Sequence, residues 1–177
     1  MNAILDEDRL QEFFISPSRG RRDFSEVIDD VIEFVEEDDA SRYEIVVGTD
    51  SEQFGTPRIG ATGGPAEFVS VVTVHRMGKH GRYFWKRMKN IVAYDHHDRM
   101  LKEAYFSLEL AQRVVAELRP RLDDHLYNFE IHLDIGHNGP TKPMISEIVG
   151  MITGNGFTAR IKPESYAANK VADRHVG

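Results

Sequence analysis

The sequence has no cysteine. That excludes a disulfide framework, a thiol nucleophile and any zinc site built on thiolates, and it fits a reducing compartment. Nowhere does an apolar run approach the roughly 20 residues that a membrane-spanning helix needs. The first ten residues are acidic and polar, unlike a secretory leader, so the expected location is cytoplasmic with no membrane partner. Internal repeats and low-complexity tracts are also absent. The glycine-rich stretch 55–65 lacks the spacing of a phosphate-binding P-loop. Excess basic charge is missing too: the formal net charge is −7, which argues against bulk, non-specific nucleic-acid binding.

What is present begins with 177 residues, a length that fits one domain over 1–177 and allows a real core. Residues 1–22 read as an N-terminal extension, with a loop at 16–22. Residues 23–38 hold an added helix: Phe24, Val27, Ile28, Val31, Ile32 and Val35 recur at helical spacing, and Asp23 followed by Glu26 forms a capping-box pattern. A strand over 43–50 is apolar on both faces, as a central strand should be. A loop over 52–67 leads to a β-branched strand at 68–76. A turn at 78–81 and an aromatic strand at 82–92 then complete a hairpin. The apolar stripe from Leu101 to Leu118 places a long helix at 96–118, stopped near Pro120. An alternating strand follows at 129–135, then a helix at 142–153, a short strand at 157–162 and a terminal helix at 165–174. Three successive strands followed by β-α-β-α predict an α/β fold. Its sheet is five-stranded and mixed, three antiparallel strands and then parallel ones, flanked by helices.

The acids fall at informative places on that skeleton. Asp50 ends the first strand and Asp134 the fourth. Carboxyl ends of parallel strands are where ligands gather in open α/β sheets. Two carboxylates side by side repel unless a cation lies between them, and a hard ion such as Mg²⁺ or Mn²⁺ takes oxygen ligands. Glu103 lies at the edge of the long helix's apolar stripe, whereas Glu109 pairs with Arg113 on a solvated flank. Asp173 follows Asn169 by one turn and stands near His175. Each of these acids also has a plainer reading, as a turn residue, a cap or a solvated helix face.

Asp50, Glu103, Asp134 and Asp173, in this order of strands and helices, resemble the Asp, Glu, Asp, Asp series of ribonuclease H-like nucleases. Longer stretches are similar to the YkuK-like family of uncharacterised bacterial proteins, assigned to the same superfamily. They are Val47-Gly48-Thr49-Asp50-Ser51, His75-Arg76 through Gly81-Arg82-Tyr83-Phe84, His132-Leu133-Asp134-Ile135-Gly136 with Asn138-Gly139, and Lys162-Pro163 through Ser165-Tyr166-Ala167-Ala168 to Ala172-Asp173-Arg174-His175. The resemblance implies a ribonuclease H-like fold and two-metal phosphodiester hydrolysis with Mg²⁺ or Mn²⁺. Asp50 would bridge both ions, Glu103 and Asp134 would hold one each, and Asp173 would complete the site.

Other residues attach to this reading. Arg76, Lys79, Arg82, Lys86, Arg87 and Lys89 fall between 76 and 89 with no acid among them, interleaved with Tyr83, Phe84 and Trp85. Such a surface binds single strands by stacking and phosphate pairing; equally, it can be a solvated strand face over core aromatics. Asn138 and Lys142, just past Asp134, are candidate substrate contacts beside Arg76, Arg82 and Lys86. Ser51, His132, Asn169 and His175 are candidate supports for the acids. His96 and His97 with Asp95 and Asp98 make a poor metal pair, because neighbouring helical residues diverge by about 100°; Asp95 reads as an N-cap. Three functions therefore compete: a metal-dependent nuclease on RNA or DNA, a non-catalytic module binding nucleic acid or a protein through hairpin 76–89, and a small-molecule phosphohydrolase.

Overall fold

The computed structural model describes residues 13–54, 63–136, 142–166, 170, 172, 174 and 175. Along the chain run β1 (Phe14–Ser16), β2 (Gly20–Arg22), α1 (Phe24–Glu36), β3 (Tyr43–Gln53), β4 (Gly64–Arg76) and β5 (Gly81–Ala93). They are followed by α2 (His96–Leu118), β6 (Tyr127–His132), α3 (Lys142–Gly154) and β7 (Thr158–Arg160). The strands form one seven-stranded sheet in the order β2-β1-β5-β4-β3-β6-β7. The first five positions are joined antiparallel, whereas β6 and β7 add in parallel to β3.

The expected five strands are thus corrected to seven. The stretch 16–22, expected as a loop, is the turn and second strand of a tight hairpin whose register is Phe14↔Arg22, Ile15↔Arg21 and Ser16↔Gly20. Three-residue strands are too short to show alternation, so the signal was only Phe14, which is 1% exposed, and Gly20, whose φ of +72° suits the turn. β1 reaches the sheet through the single pair Ile15↔Trp85. The expected loop over 52–67 is also shorter: β3 runs on to Gln53 and β4 begins at Gly64.

The three helices pack on one face of the sheet. α1 begins at a true capping box, with the Asp23 carboxylate accepting from the Glu26 N–H at 2.8 Å and the Glu26 carboxylate from the Asp23 N–H at 2.8 Å. It buries Val27, Ile28, Val31, Phe34 and Val35 against Ile45, Val47, Val72, Val74 and Phe84. α2 adds Ala104, Leu108, Ala111, Val114 and Leu118, and α3 adds Ile145, Ile148 and Ile152 over Ile131, Leu133 and Ile135. Burying each large aliphatic side chain contributes about 1.5–3 kcal/mol before entropy is counted. On the other face, Ala172 packs on Val69 and Val71, and the His175 ring stacks on Trp85 at 4.2 Å. The expected terminal helix over 165–174 lies largely outside the described residues. No described helix is long and apolar enough to cross a membrane.

Candidate active site

The site is created where two parallel strands part. β3 and β6 pair in parallel as far as Gly48↔His132. Beyond that point the chain from Leu133 leaves β3 and follows the last strand instead: the Leu133 N–H donates to the Arg160 carbonyl and the Lys162 N–H to the Ile135 carbonyl, both at 2.8 Å. β3 continues for five residues in the other direction of the split, still paired to β4 through Asp50↔Val69 and Ser51↔Phe68. The gap lies at the carboxyl ends of parallel strands, the place where this class of sheet opens to ligands.

Three candidate acids meet there. Asp50 from β3, Glu103 from α2 and Asp134 just past β6 line one cavity of about 230 Å³, together with Ser51, His96, Arg99 and Met100. The period-2 geometry of β3 turns Thr49 and Ser51 toward α2 and Asp50 the other way. The Thr49 hydroxyl meets the Ser70 hydroxyl at 2.8 Å, while the Ser51 hydroxyl donates to the Glu103 carboxylate. Asp50 Oδ1 accepts the N–H of Ser51 at 2.9 Å. On α2, His96, Arg99, Met100 and Glu103 share one face by their three- and four-residue spacing, and Ser107 carries that face into the core.

Glu103 is 8% exposed. Burial pushes its carboxyl up to about 8; the Ser51 hydrogen bond opposes this, the charge of Asp50 adds to it, Arg99 opposes it and Asp134 adds to it. A buried carboxyl flanked by two others is short of positive charge. Asp134 has a cation already, the Lys162 ammonium at 2.7 Å from Oδ1, but that lysine side chain is 47% exposed and its charge is shared with solvent.

Other expected residues lie elsewhere. Arg76 is 8% exposed beneath α1: its Nε donates to the Tyr43 hydroxyl at 3.0 Å, and its Nη2 to the Phe34 carbonyl and Glu37 at 3.4 Å. Arg82 pairs with Glu37 at 2.7 Å and covers the Phe34 ring. Lys86 sits 5.6 Å from the Phe14 ring, and burial, then Arg113, pushes its ammonium down, against Glu109. Thus Arg76, Arg82 and Lys86 turn under α1 and β1, while Tyr83 and Trp85, with the Arg87 guanidinium, turn toward His175. The His175 ring stacks on Trp85 and its carbonyl accepts from Arg87, so it does not line the acid cavity. Asp95 caps α2 by accepting the Asp98 N–H at 2.7 Å. Asp173, Asn169 and Asn138, with the side chain of Lys142, fall outside the described residues.

His132 belongs to a second polar group on the face away from the helices. Glu44, Glu130 and His132 bring one ligand atom each within 4.8 Å of one another, but their capacity is taken up. Arg160 forks onto both Glu130 oxygens at 2.9–3.1 Å. The Tyr166 hydroxyl donates to Glu44 at 2.6 Å. His132 accepts the Tyr166 N–H at Nδ1 (3.1 Å), so its other nitrogen carries the proton toward Glu130 at 3.2 Å. Burial pushes the Glu130 carboxyl up, yet Arg160 and then His132 outweigh it and hold it below its ordinary value.

Arg99 and Lys162 went unnoticed as site residues. Lys162 has a legible signal: the parallel register Glu130↔Thr158, Ile131↔Ala159, His132↔Arg160, carried two rows further, sets Asp134 beside Lys162. Arg99 has one as well, four residues before Glu103 on the same helical face.

The profile of the Ribonuclease H-like family matches residues 26–176. The chain is also similar to the uncharacterized protein YkuK of Bacillus subtilis (strain 168), at 33% identity over 91% of this chain and 95% of that one. No solved structure gives a significant match. A match over most of the length, on a mixed sheet whose parallel strands part at a group of acids, identifies the chain as a member of the ribonuclease H-like family.

Proposed function

We propose that the chain is a divalent-metal-dependent phosphodiester hydrolase acting on nucleic acid. The observation that carries this reading is the arrival of Asp50, Glu103 and Asp134 on one cavity at the parting of β3 and β6. Their oxygens are the donor set of a hard ion, Mg²⁺ or Mn²⁺, and the raised Glu103 carboxyl is what a carboxylate group lacking its cation displays. Asp173 is the fourth ligand in this reading.

A divalent ion there supplies charge that acidifies water and stabilises a leaving oxygen. The chain's own residues prepare that position. The Ser51 hydroxyl fixes the rotamer of Glu103, its own N–H fixes Asp50, and Lys162 restrains Asp134 without burying it. Met100 and Ile135 give the cavity apolar walls that limit water around the acids. The larger hollow of about 460 Å³, between Gln112, Arg119, Tyr127 and Phe157, lies at the amino end of β6 and is lined by a single acid, Asp124. The basic hairpin does not favour the module reading, since Arg76 and Arg82 already hold internal partners.

The test is cleavage of labelled RNA, DNA and hybrid strands with Mg²⁺ or Mn²⁺. Wild type cleaves at least one of them, chelation stops it, and Asp50→Asn reduces it to background. An Asp50→Asn protein with full activity means the site is assigned wrongly.

A further inference from the structure

We infer that Arg99, with His96 beside it, is the seat for a substrate phosphate at the wall of the acid cavity. The inference rests on the hydrolase reading above and names how the site holds its substrate.

Both side chains line the cavity from the first turn of α2. Several arginines elsewhere in the protein are committed to a carboxylate: Arg19 to Glu33, Arg22 to Asp30, Arg82 to Glu37 and Arg160 to Glu130, at 2.6–2.9 Å. Arg99 is not. Among the described residues its Nε is buried with no hydrogen-bond partner, and no ion pair within 4.0 Å joins it to any described carboxylate, although three acids share its cavity. Leaving such a donor unpaired is unfavourable, and an arriving acceptor removes that cost.

The contact its fork makes among the described residues is informative. Nη2 donates to His96 Nδ1 at 3.4 Å. An accepting Nδ1 means a neutral ring whose proton lies on Nε2, so the exposed His96 presents a second donor at the same mouth. A planar guanidinium with free N–H groups and an adjacent imidazole N–H match the tetrahedral oxygens of a phosphate. The carboxylates would repel an anion alone, so phosphate binds here only when a cation has neutralised them.

The alternative role for Arg99 is counter-ion to Glu103 only, and the two roles separate in binding. A short fluorescein-labelled single strand is titrated with Ca²⁺ replacing the catalytic ion, and Mn²⁺ binding is followed by calorimetry without nucleic acid. Arg99→Met weakens strand binding roughly ten- to hundred-fold and leaves Mn²⁺ binding equal or tighter, since a competing positive charge is gone. Arg99→Lys, a point charge without the fork, falls between. Wild-type strand binding kept in Arg99→Met overturns the seat alone, as does loss of Mn²⁺ binding in that variant. A wild type that binds no strand with the ion present overturns the hydrolase reading and the seat with it.

Discussion

Two groups of acidic side chains sit along the same pair of parallel strands and have opposite economies of charge. Near the start of β3, Glu44 and Glu130 meet a tyrosine hydroxyl, a histidine N–H and a forked arginine. Every strong acceptor there has a donor, and Glu130 is held below its ordinary range. At the far end of β3, Asp50, Glu103 and Asp134 share a cavity with one exposed lysine and one arginine that pairs with none of them. Glu103 is pushed up instead. The first group is a closed network that fastens Tyr166 to the sheet. In the second, the buried Glu103 meets one hydroxyl and the charges of two other acids, the condition in which a buried carboxylate is expected to serve a ligand.

Breaking the closed network should produce the largest loss of stability. Glu130→Ala leaves the buried His132 N–H without its acceptor and returns the half-exposed Arg160 fork to solvent, and we expect a loss of about 2 kcal/mol. That lowers the melting temperature by roughly 4–8 °C, measurable by calorimetric scanning. Asp50→Asn, at the open group, should cost the metal-free protein less than that, because it also relieves the repulsion on Glu103. Equal melting temperatures for wild type and Glu130→Ala would erase the contrast.

Glu103 makes the contrast pH-dependent. Its ordinary value is 4.5 and its folded value about 8. Below pH 4.5 both states hold the proton. Between 4.5 and 8 only the folded state does, so stability falls as pH rises, by up to about 1.4 kcal/mol per unit, and is flat again above 8. Denaturant unfolding of metal-free protein at pH 5 and pH 8.5 should show this decline, and Glu103→Gln should flatten it. An unchanged slope in the variant would place the charge deficit elsewhere.

The smallest effect is expected from Tyr166→Phe, which removes one hydroxyl donor from Glu44 and keeps the ring over His132 at 4.7 Å. About 1 kcal/mol should be lost, with metal binding at the acid cavity unaltered. Altered metal binding would mean the two groups are coupled through β3.

Sequence periodicity carried most of this. The capping box at Asp23 and the span of α2 from His96 to Leu118 were readable because a helix of three turns or more repeats its pattern often enough to be seen. That Asp50, Glu103 and Asp134 line one cavity was partly legible, from the parallel order of two strands and the place of Glu103 at the edge of an apolar stripe, although β3 runs on past Asp50 to Gln53 instead of ending there. The hairpin of β1 and β2 was not, since three residues cannot show a period. The fate of the 76–89 cations was not legible either. A run of bases looks the same whether solvent or Glu37 faces it, and only the packing of α1 over β5 decides. Arg99 needed the fold for a similar reason: an arginine at the start of a helix is ordinary until its guanidinium is found in a cavity of acids without a carboxylate partner.

The central claim is that Asp50, Glu103 and Asp134 together bind a divalent cation. Its most direct test is calorimetric titration of Mn²⁺ at pH 8, into wild type and Asp50→Asn, each alone and with an uncleavable phosphorothioate strand. The account predicts saturable binding by wild type, released protons as Glu103 gives up its own, and no binding by Asp50→Asn. Wild type that binds no Mn²⁺ with or without the strand, or a variant that binds as well as wild type, would contradict it.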